Sequence, residues 1–219
     1  MLDEAKHIVN DKTRSEVCMI LNCNYGQRRT LPSVAEQLSR FRYTTHPPTG
    51  SRKGAAVAMI LREVEEDVEM LFIERARHDS DPWSGHLAFP GGKVEKGEQP
   101  QEAAERETRE EIGLSLGSQQ YMGRISDIVG ANLPVRVSCF AYGISSEIGI
   151  PTISDEVRDV FWVRLGDICD RDRHRLMPVD FSGRTLEVPA IILPQPEKPV
   201  LWGITYRLVM EFLEIIHPK

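Results

Sequence analysis

Cysteine is scarce in this chain: Cys18, Cys23, Cys139 and Cys169 are the only four in 219 residues. None falls in a CxxC spacing, and none has paired histidine ligands. That excludes a zinc ribbon or a disulfide framework and fits the reduced thiols of an intracellular protein. Basic residues are not in excess either, since 27 Lys and Arg stand against 33 Asp and Glu, for a net charge of −6. General nucleic-acid binding needs clustered Lys and Arg to neutralise phosphates, so no nucleic-acid partner is expected. A small anionic substrate stays open, because a bound cation can supply the positive charge. No stretch approaches the roughly 18 apolar residues of a membrane span. The start, MLDEAKHIVNDKTRSE, has no apolar signal core. The expectation is a soluble, cytoplasmic protein with no membrane partner. Internal repeats and low-complexity linkers are also missing, which leaves one domain with a sizeable core plus an extension.

What is present is concentrated in residues 92–114, GKVEKGEQPQEAAERETREEIGL. Pro100 suits a first helical position, where its missing N–H would have no partner and its φ is already helical. Residues 101–112 contain no further Pro or Gly, and Gly113 stands where a left-handed C-terminal cap is expected. At about 100° per residue, Ala104, Thr108 and Ile112 share one side, which is the core face. Glu107, Glu110 and Glu111 share an arc of about 100° that is neither core nor plain surface. Glu102, Glu105 and Arg109 fall opposite and should be solvated.

Such crowding of acids is unfavourable by itself. A like-charge pair four residues apart costs a helix roughly 0.2–0.5 kcal/mol. Over residues 95–111, seven acids stand against three bases. A hard divalent cation reverses the sign of this effect, because Mg²⁺ and Mn²⁺ prefer carboxylate, water and phosphate oxygens. Gly91 and Gly92 let the backbone turn tightly just upstream, where Gly92 can offer a carbonyl to a metal.

Gly92, Glu98, Arg106, Glu107, Glu110, Glu111, Gly113 and Leu114 fit every fixed letter of G-x5-E-x7-R-E-U-x-E-E-x-G-U, where U is a bulky apolar residue. This is the signature of the Nudix hydrolases, and the chain resembles that family over roughly residues 52–217. Thr108, in place of a larger aliphatic residue, is the one soft departure. The resemblance implies an α/β/α sandwich with a mixed sheet, and cleavage of a diphosphate bond in a nucleoside diphosphate linked to another group. It implies Mg²⁺ or Mn²⁺ as cofactor, with Glu107, Glu110 and Glu111 as ligands and Glu98 and Gly92 as further ones. Arg106 would orient these carboxylates. The general base would be Glu111 or Glu156, which lies on a separate loop after Ser154-Asp155.

Two further segments bear on the substrate. Residues 83–92, WSGHLAFPGG, end in G-x3-F-P-G-G. This looks like the close of an extra motif in the coenzyme A diphosphatase branch, L-L-T-x2-R-[SA]-x3-R-x3-G-x3-F-P-G-G. Leu71, Arg75 and Ala76 fit its first half. Its second Arg is missing, and Asp81-Pro82-Trp83 occupies that region with one extra residue. Trp202-Gly203-Ile204-Thr205 is similar to the W-G-x-T near the C-terminus of the same branch. The resemblance implies hydrolysis of coenzyme A or its derivatives to 3′,5′-ADP and 4′-phosphopantetheine, with Arg75, Arg77 and His86 as substrate-binding candidates. An ADP-ribose, nucleotide-sugar or dinucleotide diphosphatase is the alternative. From another class, the alternative is a non-catalytic nucleotide-binding regulator. The expected partner is a small nucleotide-diphosphate molecule, and a homo-oligomer stays open.

Around the acidic helix the pattern is α/β. Residues 54–61 and 68–73 read as strands joined by the acidic turn REVEED. Residues 119–129, 135–144 and 156–163 read as further strands, and 175–193 as a hairpin around Ser182-Gly183. Residues 203–216 form a closing helix with Leu208, Phe212 and Leu213 to bury. Upstream, residues 31–41 make an amphipathic helix with Val34, Leu38 and Phe41 on one side, within an N-terminal extension over 1–51. The breaker THPPTGS separates it from the domain at 52–217. Strands on both sides of a helix, closed by a second long helix, predict a mixed sheet between helices.

Overall fold

A computed structural model describes residues 29–46, 53–78, 83–130, 135–147, 152–181 and 183–217. Most of the N-terminal extension, with Cys18 and Cys23, lies outside these residues, as do Asp81, Pro82, Ser182 and all but the first two residues of the THPPTGS breaker.

The centre of the fold is a hairpin. Strands β1 (Lys53–Val64) and β2 (Asp67–Arg75) run antiparallel, joined at Glu65-Glu66. Glu65 adopts φ 56°, the left-handed conformation that tight hairpin turns demand and that non-glycine residues seldom take. In β1 the side chains alternate: Ala56, Ala58 and Ile60 enter one buried cluster, Met59 and Leu61 the other. Both faces are therefore covered.

β1 runs parallel to β7 (Val135–Ile144), and β2 antiparallel to β8 (Val157–Arg164), so the sheet is mixed. The hairpin arms stay paired only near the turn, from Leu61↔Met70 to Val64↔Asp67. Beyond it they diverge, and the chain after β2 fills the gap. Its first part, β3 (Leu87–Ala88), pairs with β2, and its second, β4 (Gly91–Lys93), pairs with β1. The Phe89-Pro90-Gly91-Gly92 turn is thus wedged into the middle of the sheet. On the far edge, β5 (Tyr121–Arg124) and β6 (Ile128–Val129) both pair with β7. The sequence predicted one strand over 119–129. It is split because Asp127 turns inward, ion-paired to Arg124, accepting from Ser138 Oγ at 2.7 Å and from His46 N at 3.0 Å.

Helices close both faces, in the expected α/β/α arrangement. Helix α1 (Leu31–Arg40) contributes Val34 and Leu38 to one cluster. Helix α2 (Pro100–Ile112) buries Ala103, Ala104, Thr108 and Ile112 against the opposite face. It ends at Gly113, whose φ of 68° is the left-handed cap the sequence called for. After β8 come a short helix α3 (Leu165–Cys169) and a 3-10 turn (Arg171–Arg173). Strands β9 (His174–Phe181), β10 (Arg184–Ile191) and β11 (Leu201–Trp202) then form a separate three-stranded antiparallel sheet. Helix α4 (Gly203–Ile216) returns to the first cluster and buries Leu208, Phe212 and Leu213. The sequence gives the β9–β10 hairpin but not the third strand, since two residues are too short for an alternation to show. Among the described residues, no helix is long and apolar enough to cross a membrane.

Candidate functional site

Arg106 organises the acids of α2. Its Nε and Nη2 donate to the two oxygens of Glu98 at 2.8 and 3.1 Å, a forked pair that fixes both groups. Nη1 donates to Glu110 at 2.9 Å and lies 3.0 Å from Glu107 Oε1. Nη2 also donates to the Lys93 carbonyl at 3.1 Å, which ties the helix to β4. Glu98 is further held by the Glu95 N–H at 2.9 Å, closing the loop before the helix. Its hydrogen bonds to Arg106 hold its carboxyl below the usual range.

Glu111 points the other way, into the protein. Its side chain is 4% exposed, accepts the Gly91 N–H at 2.8 Å and has Arg75 Nη1 at 3.9 Å. Burial nevertheless pushes its pKa up to about 7, with the charges of Glu107 and Glu156 adding in the same direction. Glu107 is also raised, first by burial and then by Glu110 and Glu156 against the opposing pull of Arg106. Glu156, exposed in the turn before β8, therefore faces the same negative patch as the helix acids.

Two adjacent glycines set how closely these parts approach. At Gly91, φ is 151° and an added Cβ would meet the Ala56 carbonyl oxygen at 2.3 Å, so β4 can lie against β1 only without a side chain. At Gly92 the obstacle would be Glu107, whose Oε1 and Oε2 would stand 2.6 and 2.7 Å from such a Cβ.

Among the described residues, no three acidic, imidazole or thiol groups converge into a ready-made metal cage. Arg106 holds Glu98, Glu107 and Glu110 on one side, while Gly91 holds Glu111 on the other. The donor set still fits a hard divalent cation. It consists of carboxylate oxygens, and burial first, with the neighbouring acids second, raises the pKa of Glu107 and Glu111, an effect that a cation beside them would oppose. Glu105, by contrast, is not the solvated residue the helical wheel suggests. It is half-buried and accepts the Tyr142 hydroxyl at 2.8 Å, because β7 passes beneath that side of the helix.

Beside Gly91-Gly92 opens a cavity of about 320 Å³. Arg75 and His86 line it near the acids, and Trp202, Ile204 and Thr205 line it from α4 and the strand before it. Thr205 Oγ1 donates to the Leu87 carbonyl at 3.2 Å. Two segments more than a hundred residues apart, both singled out by the sequence, thus meet in one place. Arg77 does not join them: it lines a separate, open depression of about 630 Å³ with Ser154, Asp155 and Arg158. Trp83 and Phe181 are residues that sequence reasoning did not assign. Their rings lie 5.0 Å apart, and Phe181 and His86 lie 5.6 and 5.0 Å from the Trp202 ring. The signal for Phe181 would have been a lone aromatic at the tip of a polar hairpin.

Residues 52–181 match the family model of the NUDIX domain. The chain belongs to the Nudix family. Nudix hydrolase 3 of Caenorhabditis elegans is 32% identical over 87 residues, 38% of this chain and 36% of that protein. The ADP-ribose pyrophosphatase of Haemophilus influenzae is 33% identical over 117 residues, 49% of this chain and 52% of that protein. The mitochondrial coenzyme A diphosphatase NUDT8 of Homo sapiens is 25% identical over 166 residues, 75% of this chain and 70% of that protein. The chain thus spans only 36% and 52% of the length of the first two of these relatives. Among solved structures, a MutT/nudix family protein from Enterococcus faecalis shares the fold at TM-score 0.54 and 16% identity, over 88% of this chain and 71% of that one.

Proposed function

We propose that the chain hydrolyses the diphosphate bond of coenzyme A or a derivative, giving 3′,5′-ADP and 4′-phosphopantetheine. The observation that carries this reading is the junction of the Arg106-centred carboxylates with the cavity of Arg75, His86 and Trp202. Glu107, Glu110 and Glu111, with Glu98 and the Gly92 carbonyl as further ligands, would hold a Mg²⁺ or Mn²⁺ ion, which would supply Lewis acidity to neutralise phosphate charge and acidify water.

The chain's own groups do the rest. Arg106 ties Glu98, Glu107 and Glu110 to one another and to β4, so these acids move as one group. Glu156 stands free of the Arg106 network and takes the proton of the attacking water, with Glu111 as the other group able to do so. The water oxygen bonds to phosphorus, the bond from phosphorus to the bridging oxygen breaks, and its electron pair leaves on the second phosphate. Arg75, 27% exposed beside the buried Glu111, pairs with a diphosphate oxygen, and His86 and Trp202 hold the group beyond it. Arg77, in its separate depression, reaches only a part of the substrate that lies outside the cavity.

A second reading is cleavage of ADP-ribose or another nucleotide-linked diphosphate. The absence of a second Arg in the 71–92 motif and the match to an ADP-ribose pyrophosphatase favour it. A panel of coenzyme A, ADP-ribose, NADH and diadenosine polyphosphates with Mg²⁺ or Mn²⁺, resolved by chromatography, separates the readings. Release of phosphopantetheine is expected. Cleavage of ADP-ribose with coenzyme A left intact overturns the substrate, and no turnover at all leaves a nucleotide-binding regulator.

A further inference from the structure

A second cavity, of about 340 Å³, lies between the β9–β11 sheet and the start of α4. Its floor and walls are Phe181, Leu186, Val188, Pro189 and Trp202, and Trp83, Trp202 and Ile204 also line the cavity beside Gly91-Gly92. On β10, Leu186 and Val188 are two residues apart and half-buried, while Glu187 between them is exposed, so the strand turns an apolar face towards the space. Beyond the two indoles, only Tyr206 and Arg207 among the described residues bring polar side-chain atoms, and Arg207 Nη1 donates to the Val129 carbonyl at 2.9 Å. Most of the lining, including Leu186, Val188 and Pro189, comes from residues past 181, where the NUDIX match ends.

We infer that this second cavity seats a hydrocarbon group carried by the substrate at the end remote from its diphosphate. The inference rests on the diphosphatase reading of the first cavity. The two cavities adjoin across Trp83, Trp202 and Ile204, so a molecule that places phosphate at the carboxylates and extends past Trp202 enters the second one. A nucleobase does not suit that space, because its ring nitrogens and amine lose water there and find too few partners. A hydrocarbon chain loses nothing of the kind, and each methylene removed from water strengthens binding roughly fourfold. For a coenzyme A substrate, the group is the acyl chain of a thioester.

The test compares kcat/KM for coenzyme A and octanoyl-coenzyme A with Mg²⁺, in the wild type and in Val188→Trp, which fills the cavity without touching the acids. The wild type is expected to favour the octanoyl form by at least about tenfold. Val188→Trp should lose that preference and keep its rate on coenzyme A. Leu186→Asp, which lines the space with charge instead of bulk, should do the same, and serves if the first variant does not fold. Binding of S-octanoylpantetheine in EDTA, read by tryptophan fluorescence, supplies a measure that needs no turnover, since two of the chain's three tryptophans line the cavity. Probe binding that Val188→Trp abolishes sustains the inference even if neither coenzyme A compound is cleaved, an outcome that sinks only the coenzyme A substrate. Equal kcat/KM for the two coenzyme A compounds, or a wild type that does not bind the probe, overturns the inference.

Discussion

The carboxylate of Glu107 occupies the space that a side chain on Gly92 would fill, its Cδ only 2.5 Å from where a Cβ would stand. This contact gives a physical reason for a glycine at the head of the acidic motif. Glu107 is the far end of a flexible side chain and can give way, so Gly92→Ala should fold with a thermal midpoint within a few degrees of wild type. The displaced carboxylate should lower kcat/KM by roughly 100-fold, the scale of an ångström-level misplacement at a reacting centre. The neighbouring Gly91→Ala should behave in the opposite way. Its Cβ would meet backbone, the Ala56 carbonyl oxygen at 2.3 Å and Val57 Cα at 2.6 Å, and its φ is 151°. A loss of roughly 3 kcal/mol in stability is expected. Urea denaturation and steady-state kinetics on the two variants check the contrast, and equal stability losses would refute it.

Arg106→Lys tests the organising role of the guanidinium. An ammonium cannot reproduce the fork on Glu98 and at the same time reach Glu110 and the Lys93 carbonyl. The side chain is 22% exposed, so the structural loss should be modest, about 1–2 kcal/mol. The kinetic loss should be larger, about 10- to 100-fold in kcat, with KM for substrate little changed. A variant with wild-type kcat would show that the acids keep their places without the arginine.

How much of this was legible beforehand follows from how local each determinant is. Helix α2 and its limits were readable because Pro100 and Gly113 act on the backbone beside them. The division of its acids was only partly readable: the helical wheel puts Glu107, Glu110 and Glu111 on one arc, whereas Glu111 is buried against Gly91 and Glu110 lies exposed beside Arg106. Glu105 was misplaced because the wheel gives a direction but not what lies there, and Tyr142 is 37 residues away in sequence. The ring cluster of Trp83, Phe181 and Trp202 was illegible for the same reason: Trp83 precedes β3, Phe181 ends β9 and Trp202 ends β11, and they meet only once the chain is folded. The wedge of β3 and β4 between diverging strands left no trace, since neither short segment carries an alternation.

Glu111 makes stability depend on pH in the metal-free protein. Its pKa is raised by burial from 4.5 to about 7, so the folded chain retains a proton that the unfolded chain releases. The neutral carboxyl stabilises the fold fully below pH 4.5, and that contribution is lost as pH rises to about 7. The shift corresponds to a cost on the order of 3 kcal/mol above that range. Glu111→Gln keeps a neutral group at every pH and retains an oxygen for the Gly91 N–H. In EDTA its thermal midpoint should exceed that of wild type at pH 8 and match it at pH 4. Mg²⁺ should then raise the wild-type midpoint more than the variant's. A variant no more stable than wild type at pH 8 in EDTA would remove burial as the origin of the shift.

Glu110 and Glu156 should separate metal binding from proton transfer. The Glu110 side chain is 55% exposed and its hydrogen bond runs to Arg106, so Glu110→Gln should leave the thermal midpoint in EDTA within about 2 °C of wild type. If Glu110 is a metal ligand, turnover should fall by at least about 100-fold, and part of it should return at high Mn²⁺. Glu156 is exposed and outside the Arg106 network, and its charge acts on both Glu107 and Glu111. As the general base, its replacement by Gln should lower kcat by about 10²- to 10⁴-fold without changing the apparent affinity for Mg²⁺. The acidic limb of the wild-type kcat profile, where the base protonates, should flatten in Glu156→Gln and persist in Glu110→Gln. A full acidic limb in Glu156→Gln would move the proton transfer to Glu111.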